Sequence, residues 1–263
     1  MRINILFFLL FFICGYIFAQ TPYPQTQYIK GQFHLTGLKQ SNNTDETPKK
    51  LLYIPGFYIA QYETTNAAFC EYLNHNKNKT ENNAWHIDLQ GTWRNEKCRI
   101  YLKDSIFYVE KGYEQYPVLF VSWYGANAFC KWKGGRLPTE WEWEMAAGHL
   151  NNNHADTLIK YANFLNKSDN TIAKTGSYQA NKNGLYDMYG NVSEWCSNWY
   201  GWDYYKHIKR INPQGPEKGD FKAYRGGSFY SSLNSLYQQN RKAISPGINN
   251  ITIGFRVVYD KLP

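Results

Sequence analysis

Two stretches collect side chains able to do chemistry. The first, "YRGGSFYSSLNSLY" (Tyr224–Tyr237), sets Arg225 before Gly226-Gly227 and follows them with the hydroxyls of Ser228, Ser231, Ser232 and Ser235. Paired glycines allow a tight backbone corner, a common place for an active site. The run holds no His or Lys base and no GxSxG elbow, so it lacks the parts of a serine hydrolase. Asp260 and His207 are candidate partners only if the fold brings them close. The plainer reading is a Ser/Tyr-rich loop held by Arg225, Arg241 and Arg256. The second stretch, "NGLYDMYGNVSEWCSNWY" (Asn183–Tyr200), brackets the Gly190-Asn191 turn with Asp187 and Glu194. Carboxylates flanking a turn suit Ca²⁺, which takes about six to eight oxygens from carboxylates and carbonyls. Asn191 with Glu194 also reads as an ordinary capping box with no ion.

These stretches need elements to position them. Thr65 or Asn66 is a candidate cap for a helix that buries Phe69, Tyr72 and Leu73, with Cys70 beside the stripe. "CRIYLKDSIFYVEKG" (Cys98–Gly112) reads as a hairpin around Lys103-Asp104-Ser105. Tyr116–Trp123 reads as a strand ending at Ser122, which caps a second helix with Ala126, Phe129 and Cys130 inward and Gly134-Gly135 at its end. Thr139 and Glu142 form a capping box for a third helix, closed by Gly148. Its glutamates are expected to cap and to face solvent, since acids suit a helix start. "ITIGFRVVYD" reads as a terminal strand, and all six histidines are expected on the surface or in loops.

Residues 1–19 have the form of a secretion signal: Arg2, an apolar run over Ile5–Phe18, and Ala19 before Gln20. Lipidation at Cys14 is the lesser reading, because the bulky Ile13 precedes it. No other segment is apolar enough to span a bilayer. Removal of the signal leaves 244 of 263 residues, enough for one domain, and lowers the net charge from +8 to +7. The basic residues form no nucleic-acid module, so the surface suits anionic glycans, lipid headgroups or acidic proteins, or is simply solvated. Export permits disulfides among Cys70, Cys98, Cys130 and Cys196, and buried free thiols are the alternative. The 18% aromatic content, with nine tryptophans, suggests a compact fold rich in irregular loops whose corners large rings fill.

Four segments together carry a family resemblance: "ETTNAAFCEYLN", "YPVLFVSWYGANAFCKWKGGRLPTEWEWEMAAG", and the two stretches above, the last continued through "QQNRKAISPGINNITIGFRVVYD". In order and spacing they resemble the formylglycine-generating enzyme (sulfatase-modifying factor) family, over Gln32–Tyr259. After the signal at 1–19 and an extension at 20–31, the resemblance implies one domain at 32–260, with an α+β fold related to C-type lectins. It implies Ca²⁺ at Asp187, the Gly190 and Val192 carbonyls and Glu194, and a second site at Asn163, the Phe164 carbonyl and Asp169. Catalytic members oxidise a substrate cysteine with O₂ and Cu(I), which two cysteines hold; soft thiolates are what Cu(I) selects.

The corresponding positions here are Ser231 and Leu236, and a hydroxyl and an isobutyl group are not copper ligands. The family's tryptophan in the second stretch is Ser193, and a histidine and tyrosine near the cysteines are Ser232 and Ser235. Of that constellation Ser228 remains. The expectation is therefore calcium without copper, no catalytic residues, and a groove of Arg225, Ser228, Ser231 and Arg241 that binds an envelope protein or a glycan. Similar domains without the copper cysteines occur in lipoproteins of gliding-motility and type IX secretion machinery. A secreted, periplasmic or envelope protein that binds no nucleic acid is expected. Formylglycine-forming oxidation and a lectin-like glycan module are the alternatives.

Overall fold

A computed structural model describes residues 24–39, 44–148, 155–165 and 169–263; the expected signal, His149 and His154 lie outside the described residues. Strand β1 (Thr26–Ile29) pairs antiparallel with β4 (Phe57–Ala60), whose other edge takes Val258–Tyr259. β1 falls in the segment expected as an extension, so the domain begins before Gln32. β2 (Gln32–Thr36) and β3 (Lys50–Ile54) form a separate antiparallel ribbon. Pro55-Gly56 separates β3 from β4, as a residue without an N–H followed by glycine should.

Helix α1 (Asn66–Asn76) starts at Thr65, whose hydroxyl accepts from the Ala68 N–H at 3.3 Å. It buries Phe69, Tyr72 and Leu73. Helix α2 (Trp123–Trp132) starts at Ser122, and Phe129 stacks on Phe69 at 5.6 Å. Helix α3 (Glu140–Ala147) carries the expected capping box on Thr139 and Glu142. Rings of α1 and α2 with Phe255, Ile87 and Trp195 make one core; Trp141, Trp143, Leu52 and Ile54 belong to another. Packed aromatic rings contribute beyond their buried area, which suits a chain with little regular structure.

The central sheet orders Lys242–Ile244, Lys222–Arg225, Ser193–Trp199 and Ile253–Gly254, the last pair parallel. The hairpin is present as Ile100–Lys103 and Ile106–Val109, turning at Asp104 and Ser105, both left-handed.

Two expected strands are corrected. The stretch before α2, residues 117–122, makes isolated bridges only, because Phe120 at φ +57° breaks the pleat. "ITIGFRVVYD" divides into Ile253–Gly254 and Val258–Tyr259 in different sheets. Between them Arg256 turns inward to a buried carboxylate and to the Ala60, Gln61 and Tyr186 carbonyls.

Candidate functional site

The two stretches singled out in the sequence meet. Lys222–Arg225 delivers the chain to Gly226 (φ +98°) and Gly227 (φ +72°), angles that favour glycine. The Gly190 N–H donates to the Gly226 carbonyl at 2.9 Å, and the Phe229 N–H to the Asn191 carbonyl at 2.8 Å. The Ser231 hydroxyl accepts from the Ser228 N–H at 2.9 Å, which closes the corner on itself. Ser231 and Leu236 converge over Gly227. A Cβ placed there would lie 2.5 Å from Leu236 Cδ2 and 3.2 Å from Ser231 Oγ. The positions that correspond to the family's copper cysteines are thus adjacent in space, and a buried hydroxyl and a buried aliphatic group fill them. That donor set does not fit Cu(I).

The four cysteines do not supply thiolates in their place. All are free, three are buried, and burial raises every thiol, Cys98 to about 11.

The expected groove of Arg225, Ser228, Ser231 and Arg241 is corrected: all four side chains are buried, Ser228 and Ser231 inside the corner and the arginines beneath it. Arg225 and Arg241 are 1% and 5% exposed. Arg241 grips Glu140 with two bonds of 2.7 Å from Nε and Nη2. Arg225 donates to Glu140 at 3.3 Å and Glu144 at 3.0 Å, and Nη1 donates to the Gln238 carbonyl at 2.6 Å. The Thr36 hydroxyl donates to Glu144 at 2.8 Å, and His34 lies 3.4 Å from its other oxygen. Two arginines balance two glutamates in this buried cluster, with His34 beside Glu144. Burial opposes both charges, but Arg241 and Arg225 hold Glu140 below the usual range, as His34, Arg225 and Thr36 do Glu144. Glu140 and Glu144 were expected at a solvated helix face; a side chain four residues on shares its face, and that face turns to the arginines. His34 and His86 are likewise buried rather than exposed, His86 against the Tyr72 hydroxyl at 2.9 Å.

Around the Gly190-Asn191 turn, Asp187 Oδ2 accepts the Gly176 N–H at 2.6 Å, while buried Oδ1 has no partner. Burial, reinforced by Glu194, pushes the Asp187 carboxyl up to about 6. Glu194 accepts two bonds from Arg256, at 2.7 and 2.6 Å, and one from Trp143 Nε1 at 2.9 Å. Sequence reasoning missed Glu63. It is buried, accepts from Val192 N–H at 3.1 Å and Asn191 Nδ2 at 2.7 Å, and is raised well above the usual range by burial, Asp187 and Glu194. "ETTN" before a helix cap was the available signal. Glu63, Asp187 and Glu194 thus lie in the field of one guanidinium, Arg256, which pairs with Glu194 alone, and Asp187 Oδ1 is unbonded. That oxygen suits one ligand position of a hard cation, and Glu194 keeps one lone pair beside its three donors. Asn163 Nδ2 donates to the Thr171 carbonyl at 2.8 Å, Phe164 is buried, and Asp169 is exposed. Among the described residues no three His, Cys, Asp or Glu side chains group as a metal cluster.

A sequence model of the sulfatase-modifying factor enzyme 1-like domain matches residues 18–261. The chain belongs to that family. Family relatives differ in what they are named for. A Chlamydia caviae protein, "Serine/threonine-protein kinase pkn1", is 35% identical over 90% of this chain, which spans only 38% of that relative's length. The Mus musculus formylglycine-generating enzyme is 27% identical over 85% of this chain and 71% of its own. The family fold is seen in PvdO from Pseudomonas aeruginosa, with a TM-score of 0.72, 20% identity, and coverage of 92% and 96%.

Proposed function

We propose that the chain is an exported, non-catalytic member of the sulfatase-modifying factor family, serving as a binding or structural domain of the cell envelope. The observation that carries this reading is the pair over Gly227: Ser231 and Leu236 occupy adjacent positions where copper chemistry needs two thiolates. The family model matches nearly the whole chain around them. The same domain is 35% identical in a protein named as a kinase, so it travels with more than one chemistry.

In this reading Ca²⁺ sits at Asp187, the Gly190 and Val192 carbonyls and Glu194, and it holds the turn that braces the corner. Its unpartnered Oδ1 supports that assignment. The partner is an envelope protein or a glycan, met at the exposed Ser232 beside the corner, since Arg225, Ser228, Ser231 and Arg241 are buried. Among the described residues no helix is long and apolar enough to cross a membrane.

The purified protein is incubated with Cu(I), O₂ and a cysteine-bearing sulfatase peptide. The expected result is no stoichiometric copper at the corner and no formylglycine by mass spectrometry. One bound copper per chain together with formylglycine product overturns the reading.

A further inference from the structure

A surface ribbon ordinarily buries one apolar face and shows water a polar one. The β2–β3 ribbon departs from this. Its inner face is conventional: His34, Thr36, Leu52 and Ile54 are buried. Its outer face is also apolar. Leu35 stands opposite Leu51 and Phe33 opposite Tyr53, with Phe33, Leu35 and Leu51 57%, 44% and 46% exposed. Ile211 bridges to Tyr53 and widens this face, itself 69% exposed. The Phe33 and Tyr53 rings meet edge to face at 5.5 Å, and the Arg210 guanidinium lies 5.7 Å from the Phe33 centroid. A contiguous apolar patch held open to water marks a contact surface.

Charge around the patch is segregated. Segments 30–39, 47–54 and 206–212, which build and border it, hold seven Lys or Arg and no Asp or Glu, in a chain with 21 acidic residues. Lys30, Lys49, Lys209 and Arg210 are exposed, and none of the four forms a salt bridge among the described residues. We propose that this face docks on the surface of an anionic phospholipid bilayer. Phe33, Leu35, Leu51 and Ile211 seat among the headgroups while the rim cations meet phosphates, the combination that holds peripheral proteins at interfaces. A second copy of the chain would set one cationic rim against another. An acidic polysaccharide would satisfy the cations and leave the aliphatic Leu35, Leu51 and Ile211 without a role.

The test is co-sedimentation of the full chain with vesicles of phosphatidylcholine alone, or with about one third phosphatidylglycerol, at low and high salt. The readout is the difference between the two vesicle types and its loss in two variants of the face, both of which leave the N-terminal segment with Arg2 unchanged. Two double variants, Lys209→Glu/Arg210→Glu and Leu35→Ser/Leu51→Ser, change exposed side chains; circular dichroism and melting confirm that each folds. The expected result is binding that favours anionic vesicles and falls with salt. The charge variant loses at least about tenfold in partitioning, and the serine variant several-fold. Equal sedimentation with both vesicle types at low salt overturns the proposal. So does anionic-vesicle binding that the serine variant leaves unchanged, which would be diffuse charge attraction. Self-association in sedimentation velocity that the serine variant abolishes assigns the face to a second copy instead, and also overturns it.

Discussion

Replacing Glu140 by Gln tests the ion cluster under the corner most directly. Glu140 is fully buried and takes two 2.7 Å bonds from Arg241 and one of 3.3 Å from Arg225. Removing its charge leaves two buried arginines with Glu144 as their one remaining acid partner in the cluster. Breaking a buried pair on one side costs about 3–5 kcal/mol, because the orphaned charge cannot reach water. In a domain of this size that lowers Tm by roughly 10 °C. Urea unfolding followed by tryptophan fluorescence gives the free energy, and a thermal scan gives Tm. The double variant Glu140→Gln/Arg241→Met removes the orphaned charge and should recover at least half of the loss. The sign of the pH dependence follows from the depressed carboxyls of Glu140 and Glu144. Their contribution is present above the unfolded glutamate value, near pH ~4.3. It is lost as pH falls through their folded values, so E140Q should flatten the acid limb of the stability curve. A cost below about 1 kcal/mol for E140Q, or a double variant no better than the single, would refute the assignment of this cluster as paired and desolvated.

Ca²⁺ should raise Tm relative to EDTA, and Asp187→Asn should abolish that rise; an equal rise in the variant would place the ion elsewhere. Gly190→Ala should cost roughly 3 kcal/mol or more, because its φ is +78° and a Cβ would run into the Asn163 carbonyl; near-wild-type urea unfolding would contradict it. The thiols of Cys70, Cys98, Cys130 and Cys196 should react with an aromatic disulfide reagent at pH 8 only slowly until the protein is denatured. Rapid labelling of two or more in the native protein would show that the thiols are more accessible than described.

Local signals in the sequence were legible where one residue decides a backbone choice. Thr65, Ser122 and Thr139 cap their helices because a hydroxyl before a helix start has one good use. Asp104-Ser105 turns a hairpin for a similar reason. The corner and the turn could be found from glycine placement, but their contact, Gly190 with Gly226, could not. What stayed hidden needed long-range partners. "EWEWE" presents Glu142 to a cap and Glu140 and Glu144 to buried arginines, and the letters alone do not separate the two fates. Glu63 reaches Asn191 across 128 positions, so nothing near it in the chain discloses its role. The terminal strand was misread for the same reason: its apolar pattern conceals an arginine that serves Glu194.

Glu144 is where two surfaces are joined. The inner face of the β2–β3 ribbon holds one side of it through Thr36 and His34, and the arginine preceding the glycine corner holds the other. The ribbon therefore cannot slide relative to the corner without pulling a buried charge from its donors. Through Glu144 the ribbon and the corner are held in one fixed relation. If the ribbon rests on a surface, the corner is carried at a set distance above it, facing whatever passes at that level.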